Sequence, residues 1–334
     1  MNRFFACCSA LARFFGLASD VDTSGLNSTL TILLLVIEVV IPLTLLALCF
    51  FPAVRTRLEW GCRLALVLGY LASLCVMIPV CFFGFWRHAI VGLILVAGAY
   101  GGYRRIRYGA VGRWRVGLSL VLAASGLALL GVVGRSILVG YRCPQDHVEL
   151  HSPFRDGTWL VMSGGGSLLI NSHNVRNQLY GMDIVGVNSI GKIVDGWLPY
   201  SEKLEDYPGF GAELRSPCDG IVLRVEDGNE DLPPGQLPPR NTAGNLVLLG
   251  YGRCKILMGH MKQGSVRVHE GEAVSRGQLL GQLGNSGYST YPHLHISFAV
   301  GGTDKGLYDG SGIAATFDGR FLVRNSFLSA GAKD

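Results

Sequence analysis

The chain has 334 residues, of which 49% are hydrophobic and 16% charged, with a formal net charge of +5. A mean hydropathy of +0.35 is too apolar for a soluble enzyme of this size, and points to membrane segments. The positive excess sits in arginines between apolar runs, so it calls for no nucleic-acid partner.

Residues 1–27 form an N-terminal segment without a signal-peptide layout, because the run from Phe4 to Leu17 is broken by Arg13 and followed by Asp20 and Asp22. Four apolar runs follow, from Leu30 to Phe51, Leu64 to Phe85, Ala89 to Tyr103 and Val116 to Val139. All but the short, glycine-rich third approach the ~20 residues that cross a ~30 Å hydrocarbon core. Residues 28–141 are therefore read as a transmembrane region of about four helices, with the lipid bilayer as a partner. Glu38 and Arg135 must then face neighbouring helices, water or the interface. Arg104, Arg105, Arg107, Arg113 and Arg115 between the last two runs, and Arg55, Arg57 and Arg63 between the first two, place those loops in the cytoplasm. The chain is expected to be a multi-pass protein of the cell membrane, with everything after Tyr141 on the extracytoplasmic side.

Residues 142–157 read as a linker. From Gly157 short β-type runs alternate with Gly, Pro and Asn: Trp159 to Met162, Leu168 to Ile170, Met182 to Val187, Gly220 to Glu226, Leu246 to Leu249, Cys254 to Gly259, Ser265 to Val268, Leu279 to Leu283 and Leu294 to Val300. The pattern predicts a mostly antiparallel β domain over 158–303, followed by a C-terminal extension over 304–334. Glu226 to Gly244, with Pro233, Pro234, Pro238 and Pro239, reads as a long loop of the kind that walls a cleft. A Cys218–Cys254 bridge is compatible with an oxidising compartment, but nothing in the sequence requires it. Oligomeric state is not legible.

His293-Leu294-His295 carries the most chemistry, because strand periodicity puts both imidazoles on one face. His260 ends the apolar run Lys255-Ile256-Leu257-Met258-Gly259, and Asp183 follows His173 by ten positions. Neutral nitrogens with one carboxylate and an open position are the donor set of catalytic zinc. There is no H-E-x-x-H, so a helical glutamate base is not the design.

Gly284-Asn285-Ser286-Gly287, Ser289-Thr290 and Pro292-His293-Leu294-His295 resemble the closing motif G-N-S-G-x-S-T-x-P-H-L-H of the lysostaphin-type zinc metalloendopeptidases. The resemblance runs over roughly residues 160–300. It implies a duplicated-hybrid-motif-like β domain in which Asp183, His295 and His173 bind Zn2+ while His260 and His293 act as base and oxyanion donor. The commonest family arrangement, H-x-x-x-D, is absent, since Leu179 stands four before Asp183. The chain instead resembles a subset with N-x-H, here Asn171-Ser172-His173, and Q-x-Y-x-x-D, here Gln178 to Asp183. The implied function is hydrolysis of peptide bonds outside the membrane, in peptidoglycan cross-links or another extracytoplasmic peptide. The alternative is a non-catalytic cell-wall-binding or regulatory protein that uses the same groove.

Overall fold

The computed structural model describes residues 36–41, 44, 47, 54–104, 106, 108–173, 177–238 and 243–329. Three α-helices of more than ten residues precede the β domain in that part, α1 (Arg57–Met77), α2 (Trp86–Arg104) and α3 (Arg113–Gly140), after a π-helix at Val36–Val40. The apolar run from Leu30 to Phe51 lies mainly outside the described residues, so the expected four-helix bundle is described here as three. α1 and α3 are long and apolar enough to cross a membrane.

The second run ends earlier than expected. Ile78, held extended before Pro79, closes α1, and Val80–Phe82 form a 3-10 turn. Val80, Cys81 and Phe82 are buried against Val185, Val187, Tyr207 and Tyr291 of the β domain rather than in a span. The N-terminus of α1 reaches back through Arg57, Glu59 and Arg63, because the Thr56 hydroxyl accepts from the Glu59 amide at 3.0 Å. Glu59 is buried and ion-paired with Arg63 (2.8 Å) and Arg115 (2.7 Å), which ties the start of α1 to the start of α3. Higher up, Gly69 and Gly126 let the two backbones touch.

Beyond the helices lie β1 (His147–Leu150), β2 (Thr158–Ser163), β3 (Met182–Val187), β4 (Glu213–Arg215), β5 (Gly220–Glu226), β6 (Asn245–Tyr251), β7 (Cys254–Met261), β8 (Ala273–Val274), β9 (Leu279–Gln282), β10 (Leu294–Val300), β11 (Ser311–Gly312), β12 (Ala314–Phe317), β13 (Arg320–Phe321) and β14 (Phe327–Ser329). The main sheet has nine strands in the order β14-β2-β3-β10-β7-β6-β5-β8, with β11 also on β10, and its pairs are antiparallel. β2 and β3 bury both faces, one in the main core and one under the α1–α2 turn, which is why they read as unbroken apolar runs.

Several expected elements differ. Leu168 to Ile170 is a turn, since the amides of Ile170 and Asn171 bond back to the Ser167 carbonyl. Ser265 to Val268 is not a strand, because the Asp227 carboxylate takes the Val266 amide. The segment 142–157 carries β1, which pairs in parallel with β12, while β14 joins the main sheet beside β2. Residues 311–329 are thus built into the β domain. Cys218 and Cys254 are buried and unbridged.

Candidate functional site

Three neighbouring strands position the cluster. β10 lies between β3 and β7, in a register that sets His295 opposite both Asp183 and Gly259. His293, two residues before His295, falls on the same side, and His260 follows Gly259. All four side chains are buried.

Asp183 is the hub. Its Oδ1 lies 3.1 Å from His295 Nδ1, 3.3 Å from His293 Nε2 and 3.4 Å from His173 Nε2. Ahead of β3 the chain turns at Tyr180, whose φ is 67°, and His173 lies in the cluster. Asn171, fully buried, holds it there: its Oδ1 accepts from the His173 amide at 2.9 Å, and its Nδ2 donates to the Gly165 carbonyl at 2.8 Å.

His173, Asp183 and His295 each offer one ligand atom, and these atoms lie within 4.8 Å of one another. Ligands about 2.0–2.1 Å from one tetrahedral ion sit roughly 3.4 Å apart, close to the separations around Asp183. The other nitrogen of each of these rings, His173 Nδ1 and His295 Nε2, is buried without a hydrogen-bond partner. The donor set and its spacing fit a zinc ion.

The other two imidazoles are fixed differently. His260 Nδ1 lies 2.8 Å from the Ser286 carbonyl and His293 Nδ1 lies 2.8 Å from that of Tyr291. A carbonyl can only accept, so each Nδ1 carries the proton, and His293 Nε2 is left toward Asp183. His260 sits at φ 61°, a left-handed conformation that costs a non-glycine residue of order 1–3 kcal/mol. Bonds from its amide to Ala243 and from the Gly284 amide to its carbonyl hold it there.

Charge is divided unevenly among these groups. Burial pushes His173 down to about 3, against the partial pull of the Asp183 carboxylate. Burial and the neighbouring imidazoles His293 and His295 likewise hold His260 well below the histidine range. For His293 burial opposes the charge, but the Asp183 carboxylate and the Tyr291 carbonyl outweigh it and raise the pKa. Burial disfavours the ionised Asp183 as well, yet His173 and His293 hold its carboxyl well below its usual range.

The glycine-rich motif turns out to brace this arrangement. Asn285, Ser286, Ser289 and Thr290 are buried. Ser286 Oγ donates to the Met261 carbonyl (2.6 Å), Asn285 Nδ2 to that of Leu232 (2.6 Å), and Ser289 Oγ lies 3.1 Å from His293 Nδ1. The proline-rich loop is latched to the same stretch through Asp231 Oδ1 on the Asn285 amide (2.6 Å) and the Gly235 amide on Thr290 (2.8 Å). Tyr291 was not singled out by sequence. Its ring stands 5.8 Å from His293 and 6.2 Å from Phe82, joining the cluster to the α1–α2 turn.

The family model of Peptidase family M23 matches residues 206–306. This chain carries an M23 metallopeptidase domain. The match includes His260, His293 and His295, whereas His173 and Asp183 precede it and complete the His–Asp–His group by geometry. Among solved structures, the M23 domain and its surroundings are similar to a zinc-containing peptidase from Vibrio cholerae, with 18% identity over 49% of this chain and 39% of that one, at a TM-score of 0.29. The catalytic domain of the prophage-encoded M23 protein EnpA from Enterococcus faecalis matches with 16% identity over 53% of this chain and 94% of its own, at a TM-score of 0.27. The catalytic domain of lysostaphin from Staphylococcus simulans matches with 20% identity over 34% and 81%, at 0.22. Likenesses this distant carry no weight for activity. No curated protein matches the chain.

Proposed function

We propose that the M23 domain is a zinc endopeptidase acting on the peptide cross-links of peptidoglycan, outside the cytoplasmic membrane in which the apolar helices anchor it. The observation that carries this is the convergence of His173, His293 and His295 on the buried Asp183, with His260 beside them at 4.8 Å, ring to ring, from His293. His173, Asp183 and His295 would hold the zinc. Lewis acidity toward the scissile carbonyl is what that ion supplies when bound.

The remaining chemistry belongs to the chain. His260, neutral and with Nδ1–H committed to Ser286, keeps the Nε2 lone pair for the proton of an attacking water. His293 is protonated more readily, and its Nε2–H can donate to the developing oxyanion and then to the leaving amine. The choice of substrate is supported by the family, whose peptidases cleave peptidoglycan cross-links.

Membrane anchoring is supported by α1 and α3, and orientation by the arginines. Arg55, Arg57, Arg63, Arg104, Arg113 and Arg115 gather at the end of the bundle away from the β domain.

The test is digestion of isolated peptidoglycan by the full chain in a bilayer mimic. New amino termini should appear near neutral pH, vanish with phenanthroline and return with zinc. A zinc-loaded protein that releases none would instead be a cell-wall-binding or regulatory protein.

A further inference from the structure

The β domain is clamped to one end of the helices. The Arg324 guanidinium donates to the Met77 carbonyl at the end of α1, and Asn325 Nδ2 to that of Cys75 at 3.3 Å. The Gly166 amide donates to the Gly140 carbonyl at the end of α3 (2.9 Å). At the start of α2, the Phe85 amide donates to the Ile190 carbonyl (3.0 Å), and the Ile193 amide donates to Cys81 (3.1 Å). If these helices span a membrane, the domain cannot stand off from it.

The segment 188–198 between β3 and β4 is held against this end and is internally built. Asn188 Oδ1 accepts from the Ile190 and Lys192 amides, and its Nδ2 donates to Asp195 (2.9 Å). The buried Lys192 ammonium donates to the carbonyls of Gly196 and Leu198, so one lysine side chain separates Leu198 from the α1–α2 turn, where a Cβ on Gly84 would lie 3.1 Å from Lys192 Cγ. Yet this well-bonded segment, which buries Ile193 and Val194, turns three other apolar side chains outward. Trp197 is fully exposed and Leu198 64% exposed, with Ile190 exposed beside Phe85 and Trp86.

We propose that Ile190, Trp197 and Leu198 rest in the headgroup region of the bilayer crossed by the helices, so that the M23 domain lies on the membrane surface. This rests on the membrane-anchored reading. The occupant is lipid because the patch continues directly into the helix faces. Phe85 and Trp86 open α2, whose Leu93 and Val96 point outward farther along the same helix. An indole on a short loop at that level has an apolar body for the acyl boundary and an N–H for the headgroups. An exposed Trp–Leu pair with no cover among the described residues is otherwise costly to leave in water.

The experiment uses the full chain in phosphatidylcholine and phosphatidylglycerol vesicles with and without acyl-chain bromination, which quenches indoles at short range. Variants with every tryptophan but one changed to Phe leave Trp197, Trp86 or the core residue Trp159 as the sole emitter. Trp197 should lose fluorescence about as much as Trp86 and far more than Trp159. Should the combined changes prevent folding, Trp197→Phe alone should reduce the bromine-sensitive part of the emission of the otherwise native chain. Quenching of Trp86 with Trp197 as unaffected as Trp159 overturns the proposal while leaving the anchor intact. Failure of the chain to float with vesicles overturns the anchor and the proposal with it.

Discussion

His295 and Asp183 face each other directly across β10 and β3, with Nδ1 and Oδ1 3.1 Å apart. That cross-strand pair makes the two central ligands interdependent, since a slip by one residue would turn each to the opposite face of the sheet. Asp183→Asn and His295→Ala should therefore each lose bound zinc, whereas His260→Ala should keep it and lose turnover. Metal content of the purified variants checks this. Full zinc in Asp183→Asn would remove Asp183 from the ligand set.

His173 depends on Asn171 rather than on strand register. Asn171→Ala removes both the acceptor for the His173 amide and the donor to Gly165. Zinc affinity should fall by about 10–100-fold, the usual effect of losing a group that orients a ligand. Competition with a zinc chelator measures it, and an unchanged affinity would show that the turn holds His173 without Asn171.

The strands around the site were legible because β2, β3, β7 and β10 are apolar enough to declare themselves, and H-x-H periodicity already put His293 and His295 on one side. The meeting of His173 with Asp183 was legible only through the family resemblance, because a turn with a positive-φ tyrosine leaves no periodic trace. The fate of 78–85 was hidden for another reason. An apolar stretch reads the same whether lipid or a folded domain covers it, and only Pro79 hinted that α1 stops before it. Strands β11 to β14 were missed because β11 and β13 are only two residues long, while β12 and β14 pair with partners far away in sequence.

Helix packing gives a contrast of matched substitutions. A Cβ on Gly126 would strike the Ala65 backbone of α1, while one on Gly131 meets nothing within 4 Å. Gly126→Val should lower the thermal midpoint of the solubilised chain clearly, and Gly131→Val should move it little. Equal effects would mean that helix propensity, not the α1–α3 contact, sets the response.

Cys218 and Cys254 supply a pH signature remote from the metal cluster. Burial pushes the Cys218 thiol up to about 12 and that of Cys254 to about 11. The folded state thus retains protons that the unfolded chain releases above about pH 9, so this contribution is whole below pH 9 and is lost as the pH rises from 9 toward 11–12. Native protein at pH 8 should leave both thiols unmodified by a thiolate-specific reagent and expose them on unfolding. Replacing both by Ser should flatten part of the loss of stability on the alkaline side. Rapid labelling of either cysteine in the native state would contradict their burial.

Charge asymmetry yields the topological prediction. At the end of the bundle away from the β domain lie Arg55, Arg57, Arg63, Arg104, Arg113 and Arg115, opposed by Glu59, whereas Arg87 stands at the other end and Arg135 one turn below it. Glu59 forms ion pairs with two of the six arginines, but acidic residues count little in orienting spans, so the bias survives. α1 and α3 run in the same direction and α2, which connects them, runs the opposite way, so both ends that touch the β domain lie on one side. A reporter fused after Asp334 should then work only outside the cytoplasm, and one inserted between Arg107 and Arg113 only inside. Reversing Arg104, Arg113 and Arg115 to Glu should weaken the preference, since it removes the positive cluster without altering any apolar run. Cytoplasmic activity of the C-terminal fusion in the native sequence would invert the orientation and, with it, place the M23 domain on the wrong side for peptidoglycan.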